Sequence, residues 1–327
     1  MMKEIEIMDM ARTNGFRLGN AQDRQGGTGC TVLVFPDSAP CAVDVRGGGP
    51  ASRESELLSP MAAASGIHAI LLSGGSAFGL NASTGVMQYL EEQHIGFDTR
   101  ICKVPLVVES CIYDLGCGDN VRPDAAMGYA ACQAAETGDF REGCYGAGTG
   151  ATVGKLCGPD YMMKSGLGAY AVQVGALQVG AVVSVNAVGD VLDEQGQILA
   201  GMRSRDGQGF ADTRRVMLEE AGQTPTLFSQ RAVGTTTNTT IGAVVTNGRF
   251  DKAQLKKIAA LGSNGIVRAI RPVNTTADGD SLYAASVGSV SAELSLTGTI
   301  AAYVVEKAIR RAVCQAESLY GVPACGS

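Results

Sequence analysis

The 327-residue chain contains no tryptophan and only two histidines, His68 and His94. A hydrolase of the Ser-His-Asp type needs a histidine that reaches its nucleophile. His68 lies within an apolar stretch, where packing in the core explains it. His94 follows a predicted helix, where exposure to solvent explains it. The sequence therefore disfavours a Ser-His-Asp enzyme, and the two histidines alone cannot supply the ligands of a zinc site.

The sequence also lacks any apolar run of 18 or more residues and any cluster of lysine and arginine. The first absence predicts no transmembrane helix. The second, with a formal net charge of -6, removes the electrostatic footprint of a nucleic-acid-binding protein. Residues 1–13 are too charged for the apolar core of a signal peptide. We therefore expect a cytoplasmic protein with no nucleic-acid partner and no membrane partner.

Ten cysteines are present, and a cytoplasmic location predicts that they are free thiols rather than a disulfide framework. Cys111 and Cys117 have no matching second pair, so we predict no metal site and no cofactor. The ten are spread over the chain: Cys30, Cys41, Cys102, Cys111, Cys117, Cys132, Cys144, Cys157, Cys314 and Cys325.

Hydrophobic residues make up 45% of the chain, enough for a sizeable core, and 44 glycines are distributed along it. Val-rich alternation over residues 169–193 predicts long paired strands. Residues 30–45 predict two strands around a Pro-Asp-Ser turn. Central strands with helices on either side along the chain predict one α/β domain over residues 1–327, a layered sandwich. Helical periodicity predicts helices near residues 79–93, 124–135, 252–261 and 299–316.

Two glycine-rich segments are similar to catalytic motifs but fail in detail. The segment GAGTGATVGK, Gly146–Lys155, lacks the spacing of a phosphate-binding loop, and Leu156 follows the lysine where Ser or Thr is required. The segment GGSAF is similar to a nucleophile elbow, but Phe78 stands where its last glycine belongs. We therefore predict neither nucleotide binding nor a catalytic role for Ser76.

An amide hydrolase without a usable histidine needs another general base. A threonine at a chain terminus supplies one, because its own α-amine has a reference pKa of about 7.7–8.0 and accepts the hydroxyl proton. An internal threonine reaches that state only when the bond before it is cut. Asn238-Thr239 is the candidate bond, with Gly234 and polar residues before it and an apolar strand after it. The β propensity of threonine is a simpler explanation for that residue.

Nine segments in order resemble the DmpA-type peptidase family. It is similar in fold to the ornithine acetyltransferases, and it includes L-aminopeptidase/D-esterases, β-peptidyl aminopeptidases and nylon-oligomer hydrolases. The resemblance implies a DmpA/ArgJ-like N-terminal-nucleophile fold and runs from about Gly15 to the C-terminal helix. The segments are GFRLGNAQDRQGGTGCTVLV, RGGGPASRESELL, LLSGGSAFGL, VPLVVESCIYDLG, GAGTGATVGK, KSGLGAY, VSVNAVGDV, NTTIGAVVTN and ADGDSLYAAS.

Members of this family cut themselves before a Ser or Thr. Carried over to this chain, the resemblance implies cleavage between Asn238 and Thr239, into an α chain of residues 1–238 and a β chain of residues 239–327. It also implies that Thr239 is the nucleophile. The acetyltransferase branch carries an Ala-Thr-Met-Leu type of motif, whereas this chain has Asn-Thr-Thr-Ile, which argues against acetyl transfer from N-acetylornithine.

The resemblance implies four further site residues. Asp278 and Asp280 match the Asp-x-Asp of the nylon-hydrolase type and would orient the nucleophile and hold the amine, although Asp-Gly is also a turn signal. Asn186 matches the asparagine that stabilises the oxyanion, although a local turn also explains it. Lys164 matches a lysine near the nucleophile, although a solvated loop cation is equally compatible.

The Gly74-Gly75-Ser76 turn is expected to line the substrate pocket. The implied substrate is a small peptide, amide or ester, and family analogy implies a homo-oligomer, a tetramer. Three functions remain open from the sequence. They are a self-processing aminopeptidase that works through an acyl-threonine, an acyltransferase on the same scaffold, and a binding protein that kept the fold without the chemistry.

Overall fold

The computed structural model describes residues 5–10, 13–222 and 238–326. Gly234 and most of the predicted polar loop before the candidate bond lie outside the described residues. The described helices are α1 Ala82–Glu92, α2 Ala125–Thr137, α3 Thr213–Glu219, α4 Lys252–Ala269 and α5 Leu294–Cys314. The described strands are β1 Ile5–Met8, β2 Arg17–Asp23, β3 Thr28–Ala39, β4 Cys41–Val45, β5 Ala51–Arg53, β6 Ile67–Ser73, β7 Phe97–Asp98, β8 Lys103–Val104, β9 Val107–Cys111, β10 Thr152–Val153, β11 Met163–Lys164, β12 Leu167–Val174, β13 Leu177–Asn186, β14 Asp190–Leu192, β15 Ile198–Ala200, β16 Thr239–Gly248, β17 Ile270–Arg271 and β18 Ser281–Val290.

Two sheets are stacked between two pairs of helices. The larger sheet has the order β1-β12-β13-β16-β18-β4, and the second has the order β2-β3-β6-β9-β5. Helices α4 and α5 cover the outer face of the larger sheet, and α1 and α2 cover the outer face of the second. The predicted layered α/β sandwich is therefore confirmed.

Strand β6 illustrates why the second sheet is apolar on both faces. Ile70 and Leu72 point into the core between the two sheets, whereas Ala69 and Leu71 point toward α1 and α2. Side chains alternate along a strand, so a strand covered on both faces has a continuous apolar run rather than an alternating one. The run AILL in this strand is the sequence signature of that burial.

The structure corrects two local predictions. Strand β3 does not end at the predicted turn of residues 36–38; it continues to Ala39, and after Pro40 the chain enters β4 of the larger sheet. A register shift between Val34 and Ala39 and a positive φ of 62° at Ser38 absorb the irregularity, as a β-bulge does. Helix α4 runs to Ala269 rather than to residue 261. None of the described helices is both long and apolar enough to cross a membrane.

Glu109 on β9 is a buried acid within this framework. It is fully shielded from solvent, and its Oε1 accepts a hydrogen bond from Ser73 Oγ at 2.7 Å. Burial raises the pKa of Glu109 to about 7, although the nearby Arg53 opposes the rise. A raised carboxyl pKa means that the unfolded chain releases this proton at a lower pH than the folded chain does. Ionisation of Glu109 therefore destabilises the fold increasingly as pH rises from about 4.5 to about 7.

We predict that Glu109→Gln gains stability relative to the parent as pH rises. The difference in the free energy of unfolding between the variant and the parent should be more favourable at pH 8 than at pH 5 by up to about 3 kcal/mol, at about 1.4 kcal/mol per pKa unit. Urea denaturation at the two pH values measures it. Glu91→Gln, at an exposed position of α1, is the matched control and should give no such trend. An equal difference at both pH values would contradict the prediction.

Candidate active site

Thr239 is the first residue of β16, a strand paired on both sides. Antiparallel pairing with β13 sets Asn186 directly opposite Thr239. Parallel pairing with β18 begins at Ile241 and Ser281, and a further bridge joins Asn238 to Asp278. The sheet therefore brings four of the predicted site residues to the same end of the central strands. They are Asn186, Asn238, Thr239 and Asp278.

The hydroxyl of Thr239 contacts the bond that the sequence predicts to be cut. Thr239 is 4% exposed, and its Oγ donates to the carbonyl oxygen of Asn238. That oxygen also accepts from the backbone N–H of Gly279 at 2.9 Å. A backbone donor on the carbonyl stabilises the negative charge that develops when a nucleophile attacks its carbon. The local geometry thus joins a hydroxyl, a polarised carbonyl and an oxyanion donor.

Asp278 and Asp280 are buried on either side of Gly279. Oδ2 of Asp278 accepts from Thr275 N at 2.8 Å and from Thr275 Oγ at 2.5 Å. Oδ1 of Asp280 accepts from Thr240 N at 2.5 Å, and Oδ2 accepts from Asn274 N at 2.9 Å.

Burial and the charge of Asp278 raise the pKa of Asp280 to about 7, and burial also raises the pKa of Asp278. Two buried carboxyl groups that repel each other when both are charged do not both ionise readily. Near neutral pH the pair therefore retains a proton. It lies next to the backbone amide of Thr240, the residue that follows Thr239.

Asn186 is held from several sides, which fixes the orientation of its amide. Its Oδ1 accepts from Thr152 N at 3.0 Å and from Lys155 Nζ at 2.6 Å, and its Nδ2 donates to the Tyr113 carbonyl at 2.8 Å. Donors surround the oxygen, and an acceptor faces the nitrogen. The side chain is fully buried, and these bonds fix its orientation at the strand position opposite Thr239.

Lys155 also bonds Asn186, although no motif in the sequence predicts a role for it. Its ammonium donates to Oδ1 of Asn186 and to the Asn186 carbonyl, the latter at 3.0 Å. Burial lowers the pKa of Lys155 to about 7, against the raising effect of the acidic Asp278 and Asp114. A lysine with such a pKa can hold or release a proton near neutral pH.

The glycine-rich segment that fails as a phosphate loop explains how Lys155 reaches Asn186. The backbone N–H groups of Gly154 and Lys155 both donate at 3.1 Å, to the carbonyls of Gly189 and Val188 respectively. Gly154 has φ +71°, and a Cβ there would lie 2.0 Å from the backbone nitrogen of Met202. The lysine at the end of this segment was therefore the feature of the sequence that could have indicated a residue beside Asn186.

The ammonium of Lys164 bonds three backbone carbonyls, and Thr239 is not among its partners. Its ammonium donates to the carbonyls of Ala151 at 2.8 Å, Ser165 at 2.6 Å and Gly148 at 3.4 Å. It is fully buried, so a solvated loop cation does not describe it. Its residue pairs with Thr152 across the β10–β11 ladder, and Thr152 in turn bonds Asn186.

The Gly74-Gly75-Ser76 turn is connected to the site by a hydrogen bond to Asp114. Gly75 and Ser76 have positive φ values of 79° and 53°, and Gly75 N donates to Oδ1 of Asp114 at 2.7 Å. Asp114 lines a cavity beside Lys155, and the described lining residues include none of the three turn residues. The turn thus supports the wall of that cavity. In the described part of the chain, no group of three or more His, Cys, Asp or Glu side chains is placed to hold a metal ion.

Solved structures share the fold of this chain. A β-aminopeptidase of Burkholderia sp. superposes with a TM-score of 0.69 and 20% identity, over 96% of this chain and 89% of that one. An L-aminopeptidase D-Ala-esterase/amidase of Ochrobactrum anthropi, described as a variant of the Ntn hydrolase fold, gives 0.67 and 18%, over 95% and 87%. The class of protein is therefore that of the N-terminal-nucleophile hydrolase fold.

Sequence comparisons identify the family within that class. The model of Peptidase family S58 matches residues 7–324, and the chain belongs to this family. It is 35% identical to an uncharacterized aminopeptidase of Mycobacterium leprae over 91% of this chain and 86% of that one. It is 32% identical to a 6-aminohexanoate-oligomer endohydrolase of Kocuria sp. over 92% and 84%. The resemblance to the DmpA-type peptidases is confirmed, and the protein is an amide hydrolase.

We predict that Gly154→Ala damages both stability and activity, because the new Cβ collides with the Met202 backbone and displaces Lys155. Gly138→Ala is the matched control, since Gly138 also has a positive φ, +70°, but a Cβ there meets nothing within 4 Å. The left-handed backbone alone costs roughly 1–2 kcal/mol in the control, and the clash should bring the loss in Gly154→Ala to at least about 3 kcal/mol.

Denaturation in urea and amide hydrolysis measure the two effects. Only Gly154→Ala should lose hydrolysis under conditions where both variants are folded. Equal stability losses in the two variants, with equal activity, would show that the approach of Gly154 to Met202 does not constrain the site.

Proposed function

We propose that the chain cuts its own Asn238-Thr239 bond and then hydrolyses peptides or amides through an ester on Thr239. The observation that carries the proposal is the contact of the Thr239 hydroxyl with the Asn238 carbonyl, whose oxygen also accepts the Gly279 N–H. Membership of a peptidase family supports hydrolysis rather than acyl transfer to an amine. The threonine nucleophile and the two-chain product, residues 1–238 and 239–327, are parts of this proposal.

The first reaction needs a base other than the α-amine, because the nitrogen of Thr239 is still part of a peptide bond. Lys155 is our candidate, since its lowered pKa leaves a large neutral fraction near pH 7. It accepts the hydroxyl proton, Oγ bonds to the Asn238 carbonyl carbon, and the C–N bond breaks. The Thr239 nitrogen gains a proton and becomes an amine. Water then hydrolyses the ester, which releases the Asn238 carboxylate and restores the hydroxyl.

The second reaction repeats the attack on a substrate carbonyl. The freed α-amine takes the hydroxyl proton and passes it to the leaving amine, so histidine is unnecessary. Asn186 is the oxyanion donor in this proposal, and Gly279 N–H is released from the Asn238 carbonyl when that residue departs. Water then cleaves the acyl-threonine ester. Asp278 and Asp280 orient the new ammonium by charge-assisted bonds.

Lys164 enters the proposal indirectly. Its positive charge is one of the influences that lower the pKa of Lys155. It also fixes the Ala151 carbonyl next to Thr152, which bonds Asn186. We propose that it tunes Lys155 rather than the Thr239 amine directly. A cytoplasmic location and a homotetramer remain predictions, which cell fractionation and sedimentation would test.

We predict that Thr239→Ala stays one chain and loses at least about a thousandfold of the hydrolysis rate, because it has neither hydroxyl nor freed amine. Thr239→Ser is the conservative control and should be cut and active. Mass spectrometry of the purified proteins measures the cut, and release of an amine from an aminoacyl amide measures turnover. Cleavage at residue 238 or near-parental turnover in Thr239→Ala would refute the proposal.

We predict that the rate of self-cleavage rises with pH through an inflection near 7, because neutral Lys155 is the base. Mass spectrometry of precursor purified rapidly below pH 6 and then shifted in pH measures this rate. Lys155→Met should abolish the inflection. Lys164→Met, once shown to be folded, should move it to higher pH, because a neighbouring positive charge is lost. An unchanged inflection in Lys155→Met would assign the proton to another group.

A further inference from the structure

A cavity of about 350 Å³ adjoins Asn186. Three of its lining residues, Tyr113, Thr152 and Lys155, are the same residues that bond the Asn186 amide. Asn186 lies opposite Thr239 in the sheet. The cavity therefore lies on the side of Asn186 that its amide partners occupy, close to the strand position of the proposed nucleophile.

The walls of this cavity are mainly apolar. An aromatic ring, a thiol, a proline ring and a thioether alternate with glycines, which expose backbone rather than polar side chains. The apolar contributors are Tyr113, Cys117, Pro159 and Met162, and the glycines are Gly116, Gly150 and Gly158. At about 30 Å³ for each water-sized group, the volume holds roughly ten such groups. Aliphatic side chains fit within it.

Three of the four ionisable residues that line the cavity, Asp114, Cys117 and Lys155, are already engaged by the protein. Oδ1 of Asp114 accepts from Gly75 N and Oδ2 from Thr28 Oγ, both at 2.7 Å, and only 4% of the residue is exposed. The Cys117 thiol donates to the Gly150 carbonyl at 3.1 Å. Lys155 donates to Asn186. A charged side chain that entered the cavity would lose water, and these three groups already have partners within the protein, so the desolvation is unfavourable.

We propose that this cavity receives the side chain of the residue whose carbonyl Thr239 attacks, and that it selects uncharged aliphatic or thioether side chains over charged ones. The inference rests on the proposed function, which supplies the attack on the substrate carbonyl. Tyr113, Cys117 and Met162 are its specificity-determining residues. Gly116, at the exposed rim, leaves room for the side chain to enter.

The first experiment compares three aminoacyl p-nitroanilides of similar length, those of norleucine, lysine and 2-aminoadipic acid, each in the L and D forms. They differ at the end of the side chain, which is a methyl group, an ammonium or a carboxylate. The self-cleaved protein should show kcat/KM at least about tenfold higher for the norleucine compound than for both others in the preferred stereochemical series. Lysine or aminoadipate turned over as well as norleucine would overturn the inference and leave the proposed function standing. No turnover of any compound by the cleaved protein would overturn both.

The second experiment changes the cavity itself. A Cβ on Gly116 meets nothing within 4 Å, and its φ lies outside the left-handed region, so Gly116→Leu should add bulk at the rim without a clash. It should lower the norleucine-to-alanine ratio of kcat/KM at least about fivefold, because the larger side chain loses its space. Met162→Ala enlarges the cavity and should raise the phenylalanine-to-norleucine ratio.

Gly222→Leu is the matched control, since Gly222 has the same freedom but lies outside the cavity. It should leave both ratios unchanged. All variants are first checked by mass spectrometry for the same cleavage state as the parent. Ratios that stay within about twofold of the parent in both Gly116→Leu and Met162→Ala would overturn the inference, because the cavity would then not contact the side chain.

Discussion

The pairing of β16 with β13 on one side and β18 on the other is the constraint on which the site depends. Antiparallel pairing sets Asn186 against Thr239, and the parallel side brings the Asp278–Asp280 segment alongside. A central strand has its backbone groups bonded on both sides, so its register cannot slip without loss of a whole ladder. Thr239 is thus positioned by backbone geometry rather than by its own short side chain.

The same pairing explains how the proposed cleavage leaves the architecture intact. The larger sheet contains β1, β4, β12 and β13 from before residue 239, and β16 and β18 from after it. The two products of cleavage share one sheet and the apolar layers on both of its faces. Breaking one peptide bond at the start of β16 removes none of these ladders. The new N-terminus is therefore held in place by the strand that follows it.

Burial sets the proton chemistry of the site. Asp280 and Lys155 ordinarily titrate far apart, yet desolvation raises the pKa of the acid and lowers that of the base until both lie near 7. Each neutral form is favoured because burial removes water from the charged form. The site thus contains two groups that titrate near neutral pH, and neither is a histidine. This agrees with the position of both histidines of the chain outside the site.

The sequence predicted the site residues that belong to short motifs. It did not predict residues whose place in the site depends on long-range folding. The segments around Asn186, Thr239 and Asp278 name residues that the sheet does place side by side. Lys155 stands 31 positions before Asn186, and its approach depends on the left-handed backbone of Gly154 and on bonds to residues 188 and 189. Lys164, in a segment of similar composition, instead turns its ammonium to three carbonyls. A lysine beside glycines does not reveal which way its side chain points, because side-chain direction is decided by strand register, and register depends on long-range pairing.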